Sequence, residues 1–254
     1  MIANLQMHIF VALIIFASLG WLLSLKTKKV THVDSMWSLF FVIVTLFCFI
    51  NPSYESNLFH NTFFIILLLW ALRLSLHLTI RNWNKPEDIR YQKIRQNNEP
   101  GFMFKSMYII FFFQATLAFI ISLPLIYIAS ESEIVGLQSW LGLFVMATGL
   151  VVEVIADNQL KQFLKKKNNK TLQAGLWRYS RHPNYFGECL IWWGIFICAS
   201  LGPIYLLVSP LLMNILLVKI SGADLMESTI PDRRPDYRAY IKKTSRFIPW
   251  PPKY

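Results

Sequence analysis

The sequence predicts an all-α fold, a polytopic membrane bundle of about seven transmembrane helices. Three observations carry that reading. Of the 254 residues, 55% are hydrophobic and 15% aromatic while only 15% are charged, where ordinary soluble domains are about 25% charged. Apolar stretches near the roughly 20 residues needed to cross a hydrocarbon core of about 30 Å recur along the chain. The 25 Lys and Arg, set against 14 Asp and Glu for a formal net charge of +11, gather in alternate connections between those stretches. Disordered, collagen-like and disulfide-stapled classes are excluded by the same composition.

The spans are expected at 7–25, 36–50, 58–80, 106–130, 137–156, 186–201 and 203–220. The first lacks the basic leader and small-residue cleavage site of a signal peptide and is read as a retained helix. The second is short, with room to extend back toward His32. Between the last two, Gly202-Pro203 marks either a tight turn or a kink. The whole of 1–254 is read as a single integral-membrane domain, with substrate-side helices over about 1–130 and a cofactor-binding region over about 137–254.

The charges test that map. Lys26 to Lys29, Arg81 to Lys105, Lys161 to Arg181 and the segment after Ser221 hold every basic residue except Arg73 and Lys219, which fall within spans near the same face. The intervening connections carry Glu55, Glu131 and Glu133 and no Lys or Arg. Basic residues collect on cytoplasmic loops, so the N-terminus is expected outside and the C-terminus in the cytosol. This accounts for the basic surplus without nucleic acid, which is not expected as a partner. Membrane lipids are, in a bacterial inner membrane or the endoplasmic reticulum according to the organism; the oligomeric state stays open.

Cys48, Cys189 and Cys198 lie in apolar spans without Cys-x-x-Cys spacing and read as small hydrophobes. The five histidines form no ligand pattern, so no metal is expected. Neither a Rossmann glycine fingerprint nor a phosphate-binding glycine loop is present.

Ionisable groups inside a bilayer are costly and usually face a bundle interior or a wet cavity. Three spans carry them at helical spacing: Trp70, Arg73, His77 and Arg81 on the third, Glu153, Asp157 and Lys161 on the fifth, Asn184 and Glu188 on the sixth. Turned inward together, these faces line a polar cavity open to the cytosol, suited to a soluble charged cofactor meeting a lipid-soluble substrate. Arg81 and Lys161 also read as side chains that snorkel to the headgroups.

Gln173 to Glu188 reads as a cationic, aromatic loop feeding a helix. Ser180 could cap that helix, with Pro183 in its first turn. Arg178, Arg181 and His182 beside a helix N-terminus suit a phosphate, and Trp177 and Tyr179 could stack on a heteroaromatic ring.

Arg181-His182-Pro183-Asn184-Tyr185-Phe186-Gly187-Glu188, following Asp157-Asn158-Gln159 and Leu176-Trp177, resembles the signature of the DUF1295 family. That family is similar to the C-terminal domain of steroid 5-alpha-reductases and related to sterol reductases and isoprenylcysteine carboxyl methyltransferases. Val33-Asp34 with Trp37, Trp70 to Leu74, Glu87-Asp88 with Arg90-Tyr91, Ser221-Gly222 with Leu225-Met226-Glu227, and Tyr237 to Pro249 agree with it.

The resemblance implies an integral-membrane reductase that uses NADPH on a carbon-carbon double bond conjugated to a carbonyl in a sterol-like, isoprenoid or other lipid. It places Asp157, Asn184 and Glu188 at the cofactor. Local chemistry adds Arg178, Arg181, His182 and Tyr185, with Arg73 or Arg81 toward a phosphate and Glu227 toward a ribose or amide. In the steroid reductases an acid and a tyrosine of the N-terminal half polarise the carbonyl. The nearest candidates here are Asp34, which also reads as an N-cap of the second span, and Trp70 in the tyrosine's place. Two other readings compete: an S-adenosylmethionine-dependent membrane methyltransferase, which shares the Arg-His-Pro-x-Tyr loop, and a carrier or structural membrane protein without a nucleotide site.

Overall fold

The described residues of all seven apolar stretches are mostly helical, and four helices are long and apolar enough to cross a membrane: Asn4–Thr27, Leu58–Asn82, Phe102–Ile121 and Leu137–Lys165. The computed structural model describes every residue except 1, 52–53, 132–134, 167–169, 200–201, 221–226, 228–233 and 254. Glu133, Ser221-Gly222 and Leu225-Met226, singled out above, lie outside the described residues. Among those described there is no strand, only an isolated bridge between Ser180 and Ser245. Two compact units result, residues 1–135 and 136–254.

The first unit holds α1 (Ile2–Thr27), α2 (Val33–Phe49), α3 (Leu58–Asn82), α4 (Ile89–Asn98), α5 (Phe102–Ser106), α6 (Phe113–Ile121) and α7 (Leu123–Ser130). A π-helical segment, Met107–Phe112, joins α5 to α6. Asn57 starts α3 by accepting the His60 backbone N–H at 2.9 Å, one of the donors a helix start leaves unpaired. α2 begins at Val33, so Asp34 sits inside its first turn and His32, not Asp34, occupies the N-cap position. At 17 residues α2 is about 25 Å long. The continuous span expected over 106–130 is broken at Ser122, because Pro124 has no N–H to extend the hydrogen-bond ladder and sits instead in the first turn of α7. Phe40, Phe41, Phe63, Phe64 and Phe111 fill the core with Trp70. Val11, Ile15, Leu19 and Leu22 leave an exposed apolar stripe on α1, the face a lipid-embedded helix turns outward.

The second unit is organised by α8 (Leu137–Lys165) and α9 (Pro183–Cys198), which pack antiparallel. Gly142 and Gly149 on α8 face Gly194 and Gly187 on α9, a heptad apart on each helix. A Cβ at Gly149 would stand 2.5 Å from the Gly187 carbonyl oxygen, and one at Gly194 would stand 2.5 Å from the Met146 nitrogen. Small residues at such contacts are how helices associate in lipid, where burial from water no longer drives them together. α9 ends at Cys198, and the Gly202 N–H donates to the Ala199 carbonyl at 2.8 Å. A 3₁₀ turn, Ile204–Leu207, then leads into α10 (Val208–Ile215) and a π-helical Leu216–Ile220. α11 (Tyr237–Lys243) follows near the C-terminus.

Candidate functional site

Each unit brings polar side chains together among its described residues. In the second, the glycine seam brings the deep carboxylates of α8 against the start of α9: Asn184 donates to Asp157 Oδ1 at 3.2 Å, and Glu153 and Glu188 are both buried. The residues expected at the cofactor from α8 and α9 therefore do share one region.

The loop before α9 is held more tightly than its composition suggests. Gly175, at φ +63°, turns the chain so that Leu176 N–H reaches Gln159 Oε1 at 3.0 Å. Trp177 is buried and donates to the Ala156 carbonyl at 3.1 Å, so it anchors the loop to α8 and is not placed to stack on a ligand. Tyr240 of α11 hydrogen-bonds the Trp177 carbonyl. Pro183 takes the first helical turn, as expected, while Ser180 accepts the His182 N–H at 3.1 Å and donates to the Phe247 carbonyl at 2.7 Å. Tyr179 and Arg178 remain exposed.

Arg181 is engaged on three sides. Its Nε and Nη2 donate to the two Glu227 carboxylate oxygens at 2.7 and 3.0 Å, and its Nη1 donates to the Ile241 and Thr244 carbonyls. His182 Nε2 lies 2.9 Å from Glu227 Oε1, and its ring stacks on Tyr185. Tyr237 donates to the same carboxylate at 3.3 Å. Arg181 therefore holds Glu227 rather than standing open for a phosphate, and of the expected cations in this unit Arg178 is the exposed one. Burial pushes the Glu227 carboxyl up, and the hydrogen bonds from His182 and Arg181 outweigh it, leaving it below the usual carboxylate range.

A depressed carboxylate stabilises the fold at pH values above its unfolded pKa and loses that contribution as pH falls through its folded value. Glu227→Gln should therefore lower the thermal midpoint at neutral pH and flatten its decline below about pH 4. Unfolding scans of both proteins in detergent across that range check this. An unchanged pH profile would refute the assignment.

In the first unit the cluster centres on Asp34. Arg90 Nη2 donates to its Oδ2 at 2.7 Å and the Tyr91 hydroxyl to its Oδ1 at 2.5 Å. Arg90 also donates to Asp88, whose own backbone N–H is held by Thr31, and Gln114 donates to the Tyr91 oxygen at 3.4 Å. Burial, reinforced by the Asp34 charge, pushes the Tyr91 hydroxyl well up. It keeps its proton at neutral pH. Burial works against the Arg90 charge, but Asp34 and Asp88 more than offset it and hold the guanidinium charged.

Trp70 has no exposed surface and packs on Phe41 in the core. Arg73 and His77 are half-buried on α3, and Arg81 is exposed at its end. The tyrosine beside Asp34 is thus Tyr91, on the short polar helix α4. Arg90 and Tyr91 are the functional candidates missed as such; the acidic pair Glu87-Asp88 running into Arg90-Tyr91 was the available signal.

Comparison with known proteins matches residues 20–244 to the model of DUF1295, described as a protein family of unknown function. The chain is 26% identical over 271 aligned positions to the uncharacterized protein C594.04c of Schizosaccharomyces pombe, covering 92% of this chain and 77% of that protein. No solved structure gives a significant match.

Proposed function

Because the chain belongs to the DUF1295 family, we propose, on the resemblance set out above, that it is a multi-pass membrane reductase of a conjugated carbon-carbon double bond in a lipid. The observation that supports this most is the Asp34–Tyr91 pair backed by Arg90. It sets side by side an acid and a tyrosine, as carbonyl polarisation calls for, and Tyr91 rather than Trp70 is the proposed donor.

Bound NADPH would supply a hydride to the carbon beta to the carbonyl. The residues of this chain handle the charge that then develops on the carbonyl oxygen. Tyr91 carries a hydroxyl proton in surroundings nearly closed to water, where a hydrogen bond to a forming oxyanion is strongest. A carbonyl oxygen arriving at Tyr91 takes the hydrogen bond now given to Asp34, while Arg90 continues to neutralise the carboxylate. The enolate then takes a proton from solvent at its alpha carbon, which completes the saturated ketone. Excluding water and orienting the partners is the protein's share of cofactor chemistry.

The second unit fits a nucleotide in part. Asp157 and Asn184 offer an acceptor and a donor, Arg178 an exposed cation, and Tyr185 an aromatic face beside His182. Arg181, His182 and Glu227 serve that region by holding one another.

Titrating the detergent-solubilised protein with NADPH and, separately, with S-adenosylmethionine tests the reading, since its nine Trp report a bound nicotinamide. Quenching by NADPH that weakens in Asn184→Ala is expected. Binding of S-adenosylmethionine alone would turn the assignment to a methyltransferase.

A further inference from the structure

The C-terminal segment Ser245 to Lys253 is tied down along its length yet presents large apolar side chains to the outside. Ser245 carbonyl accepts the Arg181 N–H at 2.9 Å, Trp250 N–H donates to the Tyr179 carbonyl at 3.0 Å, and Lys253 N–H donates to the Lys243 carbonyl at 2.9 Å. Phe247 accepts from Ser180, and Ser245 Oγ donates to the Ile248 carbonyl at 2.6 Å. A strap fixed at this many points does not expose its side chains by fraying. Nevertheless Trp250 is 67% exposed, Ile248 65% and neighbouring Tyr179 42%.

The surroundings are cationic. Arg178, Arg238, Lys242, Lys243 and Lys253 are all exposed around the strap. Among the described residues nearby the acids are outnumbered: Glu227 is paired with Arg181 and His182, and Asp236, which accepts from the Thr171 backbone N–H and hydroxyl, both at 2.7 Å, sets one negative charge against the five. Tyr179 lies four residues before α9, and Lys161, Lys165 and Lys166 are exposed at the same end of the antiparallel α8. The strap therefore sits where the apolar length of this helix pair gives way to its charged end.

We propose that the strap is an interfacial dock for the membrane the chain spans. Trp250, Ile248 and Tyr179 enter the boundary between headgroups and acyl chains, and the five exposed cations bind anionic lipid phosphates. Aromatic side chains prefer that level of a bilayer, and clustered Lys and Arg beside a span are attracted to anionic headgroups. Charge complementarity selects a lipid surface over a second copy of the chain, whose matching face would be equally cationic. The dock also bears on the site. The Ile241 and Thr244 carbonyls that grip Arg181 lie in and directly after α11, immediately before the strap. Anchoring the strap thereby steadies the Arg181–Glu227 pair. The proposal rests on the chain's being a membrane protein and not on its being a reductase.

The test uses the full chain in nanodiscs of phosphatidylcholine alone or mixed with phosphatidylglycerol, the lipids brominated near the glycerol backbone. Subtracting the emission of Trp250→Phe from that of wild type isolates Trp250. In mixed discs its emission should be blue-shifted, quenched about twofold by brominated lipid, and insensitive to iodide in the buffer. In phosphatidylcholine discs, or in mixed discs carrying the K242Q/K243Q/K253Q variant, the quenching should fall by about half, and high salt should do the same. The exchanged side chains are exposed, so the variants keep their fold. A Trp250 signal that iodide quenches equally in both discs would overturn the proposal. So would a blue shift that depends on protein concentration and ignores bromine, which would mark a protein partner. No nucleotide or substrate enters the measurement, so failure here and failure of the reductase reading are separate results.

Discussion

Tyr91→Phe is expected to remove turnover by about two to four orders of magnitude, the range by which a positioned proton donor accelerates a reaction. The substitution deletes one oxygen and leaves the ring that Arg90 overlies at 5.4 Å, so α4 keeps its packing. What is lost is the hydroxyl that now donates to Asp34 and that would meet the oxyanion. Asp34→Asn should act through the same group. An amide there cannot balance Arg90, and its N–H₂ competes with the Tyr91 proton for position. The two losses should be far from additive, because both act on one hydrogen bond. The measurement is lipid mass spectrometry of a host lacking its own copy, complemented with each form, in which turnover appears as the gain of two hydrogens. NADPH quenching should remain as in wild type for both variants, since the first unit's acid is not assigned to the nucleotide. Wild-type turnover in Tyr91→Phe would remove the carbonyl-polarising role from this cluster.

Gly149→Leu is expected to abolish the folded second unit. Even the Cβ of an alanine would lie 2.5 Å from the Gly187 carbonyl oxygen and 2.8 Å from the Ile191 nitrogen, closer than real Cβ atoms come to backbone. Backbone cannot rotate aside as a side chain does, so α8 and α9 must separate. Overpacking of this kind costs about 1–3 kcal/mol for modest insertions, and the leucine adds three further carbons on the same vector. Separation also parts Asp157 from Asn184, whose bond is already 3.2 Å. Gly149→Ala should lower the thermal midpoint in detergent, and Gly149→Leu should eliminate the monodisperse peak on size exclusion. Thr148→Leu, on the adjacent exposed position of α8, is the control and should leave both unchanged. A folded, cooperative Gly149→Leu protein would mean that the seam is not the close contact described.

The glycines were visible in the sequence, but their meaning was not, because a heptad spacing on one helix says nothing of what faces it. The same limit governed the site. Apolar runs and the i, i+4 recurrence of Glu153, Asp157 and Lys161 are local properties of a helix, and the helices they imply are present. α4 escaped notice because seven of its ten residues are polar or charged, which leaves little hydrophobic period to report. Arg181 stood out as a phosphate ligand because a cation beside a helix start is a common anion site. Its actual carboxylate partner lies 46 positions away in sequence.

Length and hydrophobicity of each stretch determined by themselves that this chain is a helical, membrane-type protein. These depend only on neighbours within a turn or two and on transfer from water to hydrocarbon. The tertiary structure alone decided which polar groups are committed to one another: Asp34 to Arg90 across 56 positions, Glu227 to Arg181 and His182, Asp157 to Asn184. Such partnerships are made when distant segments close on each other and leave water together, and no periodicity along the chain encodes them.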